Sequence, residues 1–135
     1  MGIRIVKSNY TGTTVTSLGE VQATDNIDGT LAPTITALTD GATITPDFSD
    51  STNFSVTLGG NRTMANPTNI VPGQSGSIFI TQDGTGSRTL SWGSYWDFST
   101  GVAPTLSTDA NAVDRVDYIV RTSGSIHAVF TGNYS

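Results

Sequence analysis

A chain of 135 residues, 36% of them hydrophobic, has enough apolar surface for one modest core. Its 11 acidic against 6 basic residues, a formal net charge of -5, argue against sequence-independent attraction to nucleic acid or to an anionic bilayer. It has no cysteine, so neither disulfides nor thiolate-bound metal can hold the fold, and charged residues make up only 13% of the chain. Polarity is carried instead by Ser and Thr. Thr is β-branched and suits a half-exposed pleated surface, while low Ala, a single Glu and a single Lys leave little from which to build helices. The composition is that of an all-β protein.

Residues 3–8, IRIVKS, alternate loosely, and scattered apolar residues and turn formers follow as far as residue 32. We read 1–32 as an extended N-terminal arm that orders against a neighbour, with Ile3, Ile5, Val6, Val15 and Leu18 as its contact residues. MGIRIVKSNYTG lacks the apolar run of a secretory signal, and no stretch reaches the length of a membrane span.

Residues 33–135 read as one β domain with strands predicted at 34–38, 42–45, 54–58, 77–82, 88–92, 113–121 and 125–130. Phe54, Val56 and Leu58 alternate with Ser55 and Thr57, which marks one side as core. Val116, Tyr118 and Val120 alternate with Asp117, Ile119 and Arg121, and Ser123-Gly124 then makes the turn of the most secure hairpin. All five prolines fall between predicted strands, where a missing backbone donor interrupts no ladder. One short helical turn is allowed near Ser107. The turn spacing predicts a single antiparallel β-sandwich, jelly-roll-like, or a flattened barrel.

The run Asp83-Gly84-Thr85-Gly86-Ser87-Arg88 invites comparison with a phosphate-binding loop. It lacks the four-residue glycine spacing and the Lys of a Walker loop, and no helix follows. Asp-Gly between β-like runs is a hairpin signal, so the run reads as a turn. Asp25 to Gly29 resembles the start of a calcium loop, but Ile35 stands where a bidentate Glu is needed. His127 is the single histidine, which excludes a site built from several imidazoles, and its setting in SIHAVF makes it a strand-face residue. Trp92, Tyr95, Trp96 and Phe98 cluster in SWGSYWDFSTG. Of these, Tyr95 and Trp96, with Asp97 as acceptor, form a candidate glycan platform or subunit contact, and Trp92 and Phe98 are assigned to the core. No residue set points to catalysis, a metal or a cofactor.

From residue 56 to residue 130, five ordered markers (LGGNRT, ANPTN, PGQSG, QDGTGSRTLSW and APTLST) resemble a β-rich domain that recurs in tail fibres and other virion surface proteins of tailed bacteriophages. The resemblance implies a non-enzymatic virion component assembled in a bacterial cytoplasm. A small Ser/Thr-rich domain with an arm suits a capsid decoration or cement protein. Its expected partners are itself, as a homotrimer with covered strand edges, and the major capsid protein or another virion protein. The competing reading is a tail-fibre or baseplate module that recognises host surface glycans.

Overall fold

The computed structural model describes residues 33–134. The arm expected at 1–32, with Ile3, Ile5, Val6, Val15 and Leu18, lies outside the described residues. Within them the strands are β1 (Ile35–Ala37), β2 (Thr43–Ile44), β3 (Asn53–Leu58), β4 (Arg62–Met64), β5 (Ser75–Gln82), β6 (Leu90–Trp92), β7 (Trp96–Phe98), β8 (Val113–Thr122) and β9 (Ser125–Tyr134). They form a six-stranded sheet in the order β1-β3-β5-β8-β9-β7 and a three-stranded sheet in the order β2-β4-β6.

From β1 to β6 the chain alternates between the sheets, and each of β1 to β4 pairs in parallel with the strand two places on. Ile35 lies opposite Asn53 and Asn53 opposite Ser77 in the larger sheet; Thr43 lies opposite Thr63 and Arg62 opposite Leu90 in the smaller. The result is a stack of three rungs, each giving one strand to either sheet, as in a short two-sided solenoid. The hairpin β8–β9 closes the stack by pairing antiparallel with β5, and β7 adds to β9 in parallel at the far edge.

The expected all-β sandwich is therefore what forms, and it does not close into a barrel. Its pairing is mixed, not uniformly antiparallel. The reason lies in the loop 83–88, whose Asp-Gly signal suggested a hairpin: it carries the chain across from β5 in one sheet to β6 in the other.

Alternation fixes which side chains face inward. Phe54, Val56 and Leu58 of β3, Ile78 and Ile80 of β5 and Val116, Tyr118 and Val120 of β8 are buried with Ile44, Met64 and Leu90 of the smaller sheet. Each such aliphatic or Phe side chain contributes roughly 1.5–3 kcal/mol on burial. Phe48 stacks between Phe54 and Tyr118, with ring centroids 5.7 and 4.8 Å away. The Tyr118 hydroxyl donates to the Thr52 carbonyl at 2.7 Å, and burial pushes its ionisation well above the usual phenol range. Beside it, a Cβ on Gly76 would stand 1.7 Å from the Thr52 carbonyl oxygen, so β5 can pass there only as glycine.

Strands β4 and β7 were not expected from sequence; LGGNRT looked like a turn and YWDF like an aromatic cluster. The helical turn allowed near Ser107 is not formed. Residues 102–108 have no regular structure, 109–111 make a turn, and a short 3-10 turn occupies Ser99–Gly101 instead.

Candidate recognition surface

The alternation that buries Val116, Tyr118 and Val120 places Val113, Arg115, Asp117 and Ile119 on the outer face of the larger sheet. Phe79 lies opposite Arg115, Ser77 opposite Asp117, and Asp117 opposite Val129. Arg115 and Asp117 form an ion pair at 2.9 Å, and Asp117 also accepts from the Ser77 hydroxyl at 2.6 Å. The Arg115 guanidinium sits 5.3 Å from the Tyr134 ring centroid, a cation–π distance. Phe79, Val113, Arg115 and Tyr134 line a shallow recess of about 250 Å³. None of these residues was singled out from sequence as a site. For Asp117 and Ile119 the signal was their alternation with Val116, Tyr118 and Val120; nothing local marked Phe79 or Tyr134.

The residues expected to bind glycan are divided by β7. Trp96 points inward: it is 6% exposed, its indole N–H donates to the Ala65 carbonyl at 3.0 Å, and its ring meets Trp92, Phe48 and Tyr118 edge-on. It fills the core and offers no face for stacking on a sugar, which corrects that part of the expectation. Trp92 and Phe98 pack partly buried against the core, as expected. Tyr95 is half-buried; its amide donates to the Asn66 side chain at 2.9 Å and its carbonyl accepts from Ile126 at 2.7 Å.

Asp97 is exposed at the sheet edge and accepts from the Ser125 hydroxyl at 2.6 Å. In the β7–β9 register it lies opposite His127, which is exposed on the strand face as expected. Two of the three anticipated residues, Tyr95 and Asp97, thus belong to one edge together with Ser125 and His127.

The loop 83–88 bends the chain without the hairpin expected of it, and its donors turn inward. The amides of Thr85 and Gly86 both donate to the Asp83 carboxylate at 3.0 Å, and Arg88 clasps the same carboxylate with its closest contact at 2.8 Å. These bonds, the Arg88 contact foremost, hold Asp83 down to about 2. Donors spent on an internal carboxylate cannot cradle a phosphate. Among the described residues no three His, Cys, Asp or Glu side chains group to hold a metal ion.

Two stacked sheets closed by a hairpin, with a polar edge at β7, make up the β module in which the five sequence markers lie. The chain belongs to the family described as "Putative phage tail fibre C-terminal domain", whose model matches residues 44–124. That span runs from the end of β2 through the β8–β9 turn and takes in strands of both sheets, leaving out β1 and β9. The protein is a virion-associated structural protein of β-rich fold. Comparison with curated proteins and with solved structures finds no match.

Proposed function

We propose that the chain is a distal module of a phage tail fibre and recognises a host surface glycan through the β7 edge, with Asp97 and His127 as the polar contacts and Tyr95 as the aromatic flank. The observation that carries this reading is the family match over residues 44–124, which favours the fibre over the capsid decoration role expected from the chain's small size. The edge chemistry supports the finer step. Asp97 and Ser125 are held at 2.6 Å as a preset acceptor and hydroxyl pair, which suits recognition of vicinal sugar hydroxyls at small entropic cost. No chemical step is assigned to the chain; its work is adhesion.

Two measurements test this. Antibody labelling of virions should place the protein at a fibre, and label confined to the shell would return the decoration role. On a glycan array the whole chain should bind at least one bacterial saccharide. Asp97→Ala should weaken that binding by about tenfold, the effect of one lost charge-assisted hydrogen bond, without changing the melting temperature. An array blank for the wild type would remove the glycan step and leave the fibre assignment standing.

A further inference from the structure

In β9 the even-numbered residues face the core: Ile126 and Ala128 are buried, and Phe130, opposite Val116, packs against the same cluster. Strict alternation would send Tyr134 inward as well. It does not go there. Thr131 lies opposite Arg115 and Tyr134 opposite Val113, so three steps along β9 answer two along β8, and the extra residue reverses the strand's parity. Tyr134 is 42% exposed and lies on the outer face, its ring centroid 5.3 Å from the Arg115 guanidinium.

The bulge is held by unusual means. Asp114 is 1% exposed, and its carboxylate accepts from the Asn133 amide at 2.9 Å and from the Ser107 amide at 2.8 Å. Asn133 has a φ of 63°, in the left-handed region that few residues other than glycine enter without strain. A strand that only ended here would need neither a buried carboxylate nor a left-handed residue. What the two achieve together is the placement of one aromatic ring beside one guanidinium.

The guanidinium is fixed in its turn. Asp117 holds it by Nε and Nη2, at 3.0 and 2.9 Å, and accepts from the Ser77 hydroxyl at 2.6 Å. The Nη1 side lies outside that pair. Phe79, opposite Arg115, and Val113, opposite Tyr134, give the hollow its apolar walls.

These walls specify a ligand. The volume of about 250 Å³ lies below the roughly 300–1,000 Å³ of sites that enclose a drug-sized molecule, so the hollow admits a single ring. Arg115 and Asp117 cancel in charge and the chain as a whole carries -5, so the field favours a neutral ligand over an anion. Asp117 is already occupied by Arg115 and Ser77, whereas Nη1 still has hydrogens to donate, so the ligand has to present an acceptor oxygen. Aromatic rings and a valine suit the C–H face of a pyranose and a methyl group. A neutral ring that carries an amide oxygen and a methyl group meets every one of these conditions.

We propose that the hollow of Phe79, Val113, Arg115 and Tyr134 binds one N-acetylhexosamine unit of a glycan, the acetamido oxygen accepting from Arg115 and the methyl group lying against Val113 and Phe79. Tyr134 and His127 are seven residues apart on β9, about 20 Å at about 3.3 Å per residue. The hollow is therefore separate from the β7 edge and stands whether or not that edge binds sugar.

The test is saturation-transfer NMR on the full chain with free N-acetylglucosamine and N-acetylgalactosamine. Transfer should be strongest at the acetyl methyl of at least one of them, with a Kd on the order of 1 mM, the scale of one small site. Glucose and galactose, which lack the acetamido group, should bind at least about tenfold more weakly. Arg115→Gln and Tyr134→Ser should each weaken binding by about tenfold or more at an unchanged melting temperature, because both side chains lie at the surface. Asp97→Ala should bind as the wild type does. A wild type that gives no transfer overturns the proposal, whether the hollow stands open or is covered by another copy. So do equal binding of the sugars without an acetamido group, binding that survives both substitutions, and binding lost in Asp97→Ala alone, which would assign the sugar to the β7 edge.

Discussion

The stacked half, β1 to β6, and the hairpin, β8 and β9, use different means to satisfy their backbones. The hairpin is held by its main-chain ladder, with Thr122 opposite Ser125 across a two-residue turn. The stack has to cross between sheets at every half-rung, and a crossing loop has no ladder of its own. Side chains do that work: Asp40 accepts from Arg62 at 2.8 and 2.7 Å, the Asn61 side chain accepts from the Thr89 amide at 3.1 Å, and that of Asn66 from the Tyr95 amide at 2.9 Å. Each bond joins residues 22 to 29 apart in sequence, about one rung. A parallel stack thus draws on Asp, Asn and Gln at every corner, whereas the hairpin calls on one such side chain, the buried Asp114, which accepts from the Asn133 amide at 2.9 Å where the β8–β9 register shifts.

The largest effect should come from the core both halves share. Phe54 is fully buried in β3 and stacks through Phe48 onto Tyr118 of the hairpin. Phe54→Ala should cost about 3–5 kcal/mol in chemical denaturation. The unfolding curve should remain a single transition, since stack and hairpin bury their apolar faces in one cluster. Two separated transitions would show that the hairpin stands without the stack.

Next in size is the corner between β5 and β6. Gln82 is 1% exposed, and its amide imitates a strand: its nitrogen donates to the Arg88 carbonyl at 3.0 Å and its oxygen accepts from the Arg88 amide at 2.8 Å. Gln82→Leu preserves most of the volume and leaves both Arg88 groups unpaired, an expected loss of about 2–4 kcal/mol. Faster hydrogen exchange at the Arg88 amide, with the hairpin amides unchanged at low denaturant, would tie the loss to this corner. Gly86→Ala attacks the same place from the backbone. Gly86 has a φ of 74°, and an added Cβ would stand 2.5 Å from the Thr108 carbonyl oxygen. Its cost should be about 1–3 kcal/mol.

How much was legible follows the same division. Alternation in 113–121 located β8, its core face and the Ser123-Gly124 turn, because a hairpin's partners are neighbours in sequence. Alternation in 54–58 and 77–82 located β3 and β5, but the parallel pairing of Asn53 with Ser77 depends on a loop that changes sheets, and Asp-Gly marks a bend without saying where it leads. β4 has three residues, Arg62–Met64, and only Met64 is buried, too short a run for any period to register. At the site, sequence found Asp97 and Tyr95 as neighbours of a cluster. Trp96 was misplaced because β7 alternates, so the residue between the two faces inward. Ser125 and His127 join them from 28 and 30 positions beyond Asp97, through a β7–β9 pairing that nothing local announces.

Acid should separate the halves more gently. The Asp83 carboxyl is held down to about 2, chiefly by Arg88 and further by the Thr85 and Gly86 amides, and Asp40 is lowered by Arg62 and Gly59. A folded value below the unfolded carboxylate value of about 3.9 contributes stability above that pH and loses it as pH falls toward 2. Both carboxylates sit at corners of the stack, so exchange of the Gly59 and Gly86 amides they accept from should quicken over this window, by local opening, before hairpin amides lose protection in the single global transition. At the alkaline end the sign reverses. Tyr118 stays neutral when folded and ionises when unfolded, so stability should fall above about pH 10. Simultaneous loss of both halves in acid would remove the distinction.

The smallest effect is expected at Gly124, although its sequence, Ser-Gly between two alternating runs, is the strongest turn signal in the chain. Gly73, Gly86 and Gly101 are the described glycines with positive φ, and Gly124 is not among them. A methyl there would meet only the Tyr95 ring, 3.8 Å away at Cε1, an ordinary van der Waals separation. The backbone of this turn therefore makes no demand that alanine cannot meet, and reduced freedom of the unfolded chain offsets any small loss. Gly124→Ala should change stability by no more than about 0.5 kcal/mol, against the larger cost of the same substitution at Gly86. Equal costs at the two positions would mean that the hairpin turn is as constrained as the crossing loop, and that the ladder alone does not set the β8–β9 register.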